Sequence, residues 1–126
     1  MKIRVYYEDT DLGGVVYHSN YLNFCERARS ELFFSKGESP VLDGGHFVAK
    51  HIEADYKKPA VFGDELDIHT KLLSFKSASF TLQQTVFRGD EKLFEMKIKL
   101  AYLSHEGKIK CFDEETKEYL LSIIDT

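Results

Sequence analysis

The 126-residue chain predicts an α+β domain in which one long helix lies across the apolar face of a five-stranded antiparallel sheet. Three observations carry that expectation. One stretch, from Asn20 to about Lys36, repeats its apolar residues at helical spacing. Four later stretches alternate apolar and polar residues, and the turns that join them are short. Antiparallel strands with one apolar face need a cover, and the long helix has a matching stripe to offer.

The first strand is read from KIRVYY, where Ile3, Val5 and Tyr7 share a face opposite Lys2, Arg4 and Tyr6. A loop, EDTDLGG, follows, and Ser19 or Asn20 then stands where a helix N-cap belongs. Along the helix, Tyr21, Phe24, Cys25, Ala28 and Leu32 form the apolar stripe, and Gly37 is placed to close it. ESPVLDGGH reads as a connector with one short helical turn. After His46 the period becomes two. Val48, Ile52, Ala54 and Tyr56 share a face until Pro59 ends the pairing. Leu66, Ile68 and Leu72 mark the next strand, Phe80, Leu82 and Val86 the one after it. Phe94, Met96, Ile98, Leu100 and Tyr102 mark the last. The tail reads as a terminal helix capped by Asp113. There is no repeat and no low-complexity segment, so residues 1–126 are expected to form one domain. Such a sheet leaves edges open, and pairing two copies across a two-fold axis would cover one, so at least a homodimer is expected.

Composition narrows the function classes. A hydrophobic fraction of 43% suits a folded domain, and a net charge of −4 is not the footprint of a nucleic-acid binder. MKIRVYYEDT lacks the apolar core of a signal peptide, and no run approaches the length of a membrane span. A cytoplasmic chain is therefore expected, with Cys25 and Cys111 as free thiols. The five histidines form no metal-ligand spacing, and no serine sits in a nucleophile-elbow motif.

The stretch with chemical content is EDTDLGGVVYHSN. Gly13 and Gly14 permit positive φ and a close backbone approach just before a helix start. A helix start offers unpaired N–H donors that can hold a developing oxyanion, and a carboxylate nearby can act as nucleophile or general base. Asp11, Asp9 and Glu8 are the acids available. By composition alone the stretch describes an Asp-rich surface turn better than a reactive site, with His18 a helix-entry residue. A divalent ion on Asp9, Asp11 and His18, with Glu26 completing the set, is the weaker alternative. Glu26 and Arg29, one turn apart, read most simply as a surface ion pair, with Glu26 as a polar wall of a site the other reading. Lys57, Lys58, Lys71 and Lys76 read as solvated strand ends. They are also phosphate-gripping candidates, with Ser77 and Ser79 as hydroxyl donors beside Lys76.

The run YYEDTDLGGVVYHSNYLNFCERAR resembles the signature of the 4-hydroxybenzoyl-CoA thioesterase family, most closely its YbgC-type acyl-CoA thioesterases. The shared pattern, Y-x-D-T-D-x-x-G-x-V-x-H-x-x-Y-x-x-x-x-E-x-A-R, runs unbroken from Tyr7 to Arg29. The resemblance implies a hot-dog fold, with the sheet wrapped around the helix in dimers that pair into tetramers. It implies hydrolysis of acyl-CoA thioesters with no metal or cofactor. The family's catalytic acid falls on Asp11, and its helix-entry histidine on His18, whose backbone N–H would face the thioester carbonyl. Tyr7 and Tyr17 match the aromatic positions flanking the loop, with Gly14 between them. CoA phosphates would meet the turn holding Lys76, Ser77 and Ser79, with Lys58 a further cation. Two rivals follow from the same likeness. One is a hot-dog hydratase or dehydratase using His18 with Asp11. The other is a module binding acyl-CoA or acyl carrier protein beside the Tol–Pal cell-envelope system.

Overall fold

A computed structural model describes residues 1–124. In chain order the elements are β1 (Lys2–Arg4), α1 (Asn20–Phe34), β2 (His46–Tyr56), β3 (Glu65–Phe75), β4 (Ser79–Arg88), β5 (Glu91–Leu103) and α2 (Glu114–Ile124). The strands make one sheet in the order β1-β3-β4-β5-β2, every neighbouring pair antiparallel. Helix α1 buries Tyr21, Phe24, Cys25, Ala28 and Phe33. These meet Leu66, Ile68, Phe80, Leu82, Val86, Phe94, Met96 and Ile98 from the inner face of the sheet. The α+β expectation holds, because period-two and period-3.6 patterns present the two apolar faces that must be joined.

Four local readings change. The first strand ends at Arg4, and Tyr7–Asp9 form a single 3-10 turn. Asp9 causes the change: its carboxylate accepts the Tyr6 N–H at 2.8 Å, and its own N–H returns to the Tyr6 carbonyl at 3.0 Å. Tyr7 is consequently exposed rather than aligned with buried Val5. Helix α1 stops at Phe34, short of Lys36. Gly37, at φ 75°, closes it with paired bonds from Gly37 N–H to the Phe34 carbonyl and from Glu38 N–H to that of Phe33. In the connector, Leu42 and Gly45 form a bridged turn in place of a helical one. Finally, β2 carries a bulge between Ala49 and His51, which inverts its alternation. Ala49 pairs with inward-facing Leu100 and Ile52 with inward-facing Ile98, whereas Val48 pairs with Ala101 on the other side. Phe47 and Ala49 thus join Ile52, Ala54 and Tyr56 on the helix side, and Val48 turns away.

The terminal helix follows its predicted cap, with the Thr116 N–H donating to Asp113 Oδ1 at 2.7 Å. It buries Leu120, Ile123 and Ile124 and packs against α1 and β3. From Ala49 onward every residue of β2 is exposed, and β2 is a free edge of the sheet.

Candidate active site

The loop between β1 and α1 is held almost wholly through its backbone. Asp11 N–H donates to the Val15 carbonyl at 2.9 Å, and Gly14 N–H to that of Asp11 at 3.0 Å. Tyr17 N–H donates to the Asp9 carbonyl at 2.9 Å, and Asn20 Nδ2 reaches the same oxygen at 2.9 Å. Gly14 takes φ 79°, the left-handed conformation the tight turn requires. The segment after β2 forms the other wall. Val16 N–H donates to the Ala60 carbonyl at 2.9 Å, and Val15 bridges Val61. Phe62 meets the Tyr7 ring edge-on, with centroids 6.3 Å apart.

Two aspartates that look alike in the sequence occupy different environments. Asp9 is buried, and its side chain is committed to the Tyr6 amide. Asp11 is exposed; Oδ1 accepts the Gly13 N–H at 2.8 Å, which orients the carboxylate and leaves Oδ2 open. A side chain on Gly13 would crowd that oxygen, since a Cβ there would lie 3.2 Å from it. Asp11 lies in a shallow depression with Tyr7, Thr10, Leu12, Gly14 and Phe62.

His18 sits at the entry to α1. Its carbonyl accepts the Tyr56 hydroxyl at 2.7 Å, so β2 pins the helix entry in place. Ser19 is the N-cap residue, yet its side chain makes no capping bond. Among the described residues, the backbone N–H groups of His18 and Ser19 have no acceptor. Donors left open at a helix entry suit an incoming partial negative charge. The Tyr17 ring lies 4.5 Å from the His18 ring, and both side chains are exposed.

The remaining predicted residues fall elsewhere. Glu26 lines a separate apolar cavity of about 310 Å³ between α1 and β2 and forms no ion pair with Arg29. Arg29 turns inward, donating to Gln84 Oε1 at 2.9 Å. Lys58 pairs with Glu91 at 2.8 Å. Lys76, Ser77 and Ser79 occupy the β3–β4 turn, where Lys76 N–H bonds the Ser79 carbonyl at 2.8 Å. That turn is at the far end of β3 from the Asp11 loop, about 30 Å away for a strand of this length. One chain does not bring it to Asp11. Among the described residues no cluster of His, Cys, Asp and Glu could hold a metal, so the Asp9–Asp11–His18 alternative has no geometry behind it.

Sequence reasoning missed Tyr56, which fixes the helix entry, and Gln84, which alternates with Phe80, Leu82 and Val86 on the buried face. The even-numbered pattern of β4 could have exposed Gln84 as a polar residue among core positions. Cys25 is core, as read: burial pushes its thiol up to about 12, far from a nucleophile's range.

Helix, wrapped sheet and acid-bearing loop together define a hot-dog thioesterase-type domain. Residues 13–95 match the thioesterase superfamily, and the chain belongs to that family, in its YbgC-type acyl-CoA thioesterase branch. It is 47% identical over 87 residues to the acyl-CoA thioesterase YbgC of Helicobacter pylori, covering 69% of this chain. The match spans 65% of that relative's length, just under two thirds. With the acyl-CoA thioesterase YbgC of Haemophilus influenzae it shares 37% identity over 121 residues, 91% of this chain and 88% of the other. A probable thioesterase from Bartonella henselae has the same fold, with a TM-score of 0.84, 33% identity and coverage of 90% and 97% of the two chains. Among the described residues, no helix is long and apolar enough to cross a membrane.

Proposed function

We propose that this chain hydrolyses acyl-CoA thioesters to the free acid and CoA, with Asp11 as the reacting carboxylate and the His18 backbone N–H as a carbonyl donor. The supporting observation is the contrast between the aspartates: Asp9 is consumed by the loop's own backbone, and Asp11 is oriented and open. A thioester carbonyl has little resonance stabilisation, so one or two aligned N–H donors polarise it usefully. In one route Asp11 takes a proton from water, the water oxygen adds to the carbonyl, and the C–S bond breaks as CoA leaves and is protonated. In the other, Asp11 adds to the carbonyl and the C–S bond breaks, so that CoA leaves as a thiolate and is protonated; water then hydrolyses the mixed anhydride to the free acid and Asp11. The branch to which the chain belongs favours hydrolysis over hydration of an acyl chain.

The working form is proposed to be a homodimer, or a tetramer of two dimers, joined along β2. Support comes from that strand's unpaired edge and its exposed Val48, Ile52 and Tyr56. A second copy is also what could bring the turn at Lys76, Ser77 and Ser79 within reach of CoA phosphates bound near Asp11. The test is thiol release across acyl-CoA and acyl carrier protein thioesters of graded length, on wild type and Asp11→Asn together. Loss of turnover in the variant with CoA binding retained is expected. Undiminished turnover would remove Asp11 from the mechanism.

A further inference from the structure

The cavity between α1 and β2 contains a cation with no bonded ion-pair partner, eased only by the field of Glu26 one helical turn earlier. Its walls are mostly apolar, from Phe33, Phe47, Leu82 and Leu100, and Arg29 enters among them. The guanidinium makes one protein hydrogen bond, from a terminal nitrogen to Gln84 Oε1, and among the described residues no carboxylate pairs with it. Burial draws its pKa below the ordinary arginine value, yet a guanidinium stays protonated at neutral pH. A partly desolvated cation without a counter-ion is costly, and proteins rarely retain one unless something binds it.

Gln84 fixes where that cation points. Fully buried, it donates from Nε2 to the Cys25 carbonyl at 2.9 Å and to Thr70 Oγ1 at 3.1 Å, leaving its oxygen for Arg29. Rotating the amide would set its oxygen against the Cys25 carbonyl, so the orientation is determined. The other charged groups at the cavity are Glu26, exposed and one helical turn earlier, and His46 at the far wall, stacked on His105. Water screens Glu26 more than it screens the half-buried Arg29. The free guanidinium edge matches a carboxylate, which can accept two parallel N–H bonds.

We infer that the cavity takes an acyl group whose distal end carries a carboxylate, engaged by Arg29, with Gln84 as the residue that positions it. This rests on the acyl-CoA reading above, with the acyl chain running along α1 from the helix entry to Arg29, about 14 Å for nine residues, and adds the class of acyl group. At about 310 Å³ the cavity is at the small end for ligand pockets and suits one acyl arm rather than a whole CoA ester.

The test compares S-alkyl-CoA thioethers with their ω-carboxyalkyl counterparts at matched short, medium and long chain lengths. These analogues cannot be hydrolysed, so calorimetry reads binding by wild type alone. At the preferred length the carboxylated analogue should bind at least about tenfold tighter. Arg29→Gln should erase that ratio, and Gln84→Leu, which frees the guanidinium from its anchor, should narrow it. A purely structural role for either residue would weaken both analogues equally. Equal or weaker binding of the carboxylated analogue at every length, no binding of either, or an unchanged ratio in Arg29→Gln overturns the inference. A protein that prefers the carboxylated analogue yet releases thiol from no acyl-CoA would support it and overturn the hydrolase reading.

Discussion

The Asp11 loop and the Gln84 cluster are both polar, and they use polarity in opposite ways. In the loop, backbone groups bond one another, and the one carboxylate of interest faces outward with an oxygen open. In the cluster, side chains are sunk into the core, and Gln84 spends its amide on Cys25, Thr70 and Arg29. A group that reacts must stay unspent; a group that organises a core must be fully spent. Stability and activity should therefore separate between the two regions.

The largest effect should come from Asp11→Asn, which removes the reacting acid while keeping the side chain's shape and its bond from Gly13. Turnover should fall by roughly 10²–10⁴-fold, with a thermal midpoint close to wild type. Unfolding of that variant well below wild type would make Asp11 structural and break the contrast. Gln84→Leu should do the reverse. It strands the Arg29 cation and the Thr70 hydroxyl and takes from the Cys25 carbonyl the bond it makes beyond the helix, for about 2–4 kcal/mol of stability in urea unfolding. Asp9→Ala sharpens the division inside the loop, since Asp9 acts as part of the scaffold. About 1–2 kcal/mol should be lost with the Tyr6 bond, and activity should drop only as far as the loop loosens. Gly14→Ala meets no steric neighbour but forces φ 79° on a Cβ-bearing residue, costing about 1 kcal/mol. Smallest of all is alkylation near pH 8. Cys111 is exposed and should react readily, whereas Cys25 is buried with its thiol pushed up to about 12 and should react only after unfolding. Labelling Cys111 should leave stability unchanged.

Much of the architecture was legible because it rests on periodicity. Tyr21, Phe24, Cys25 and Ala28 are spaced for a helix face, and Phe94, Met96, Ile98 and Leu100 for a strand face; burial follows in both. Asp113 and Gly37 acted as the cap and terminator their chemistry suggests. Legibility failed where one residue changes phase or direction. An added residue in β2 inverts everything before it, and alternation alone cannot locate a bulge. Tyr7 looked like a strand residue because the Asp9 bond that curls the chain at Tyr6 is local, specific and invisible to a pattern. The Glu26–Arg29 pair had the right spacing, but Arg29 found Gln84, which lies 55 residues on in the sequence.

The sequence by itself determined the elements, the faces they bury and the family signature from Tyr7 to Arg29, since these depend on spacing along the chain. Only the tertiary structure decided which acid stays open, which helix-entry amides lack an acceptor and where the Arg29 cation points. Those outcomes depend on partners such as Ala60, Tyr56 and Gln84, brought close by the sheet's crossovers. A hydrogen bond is set by distance in space, and spacing in sequence does not encode it.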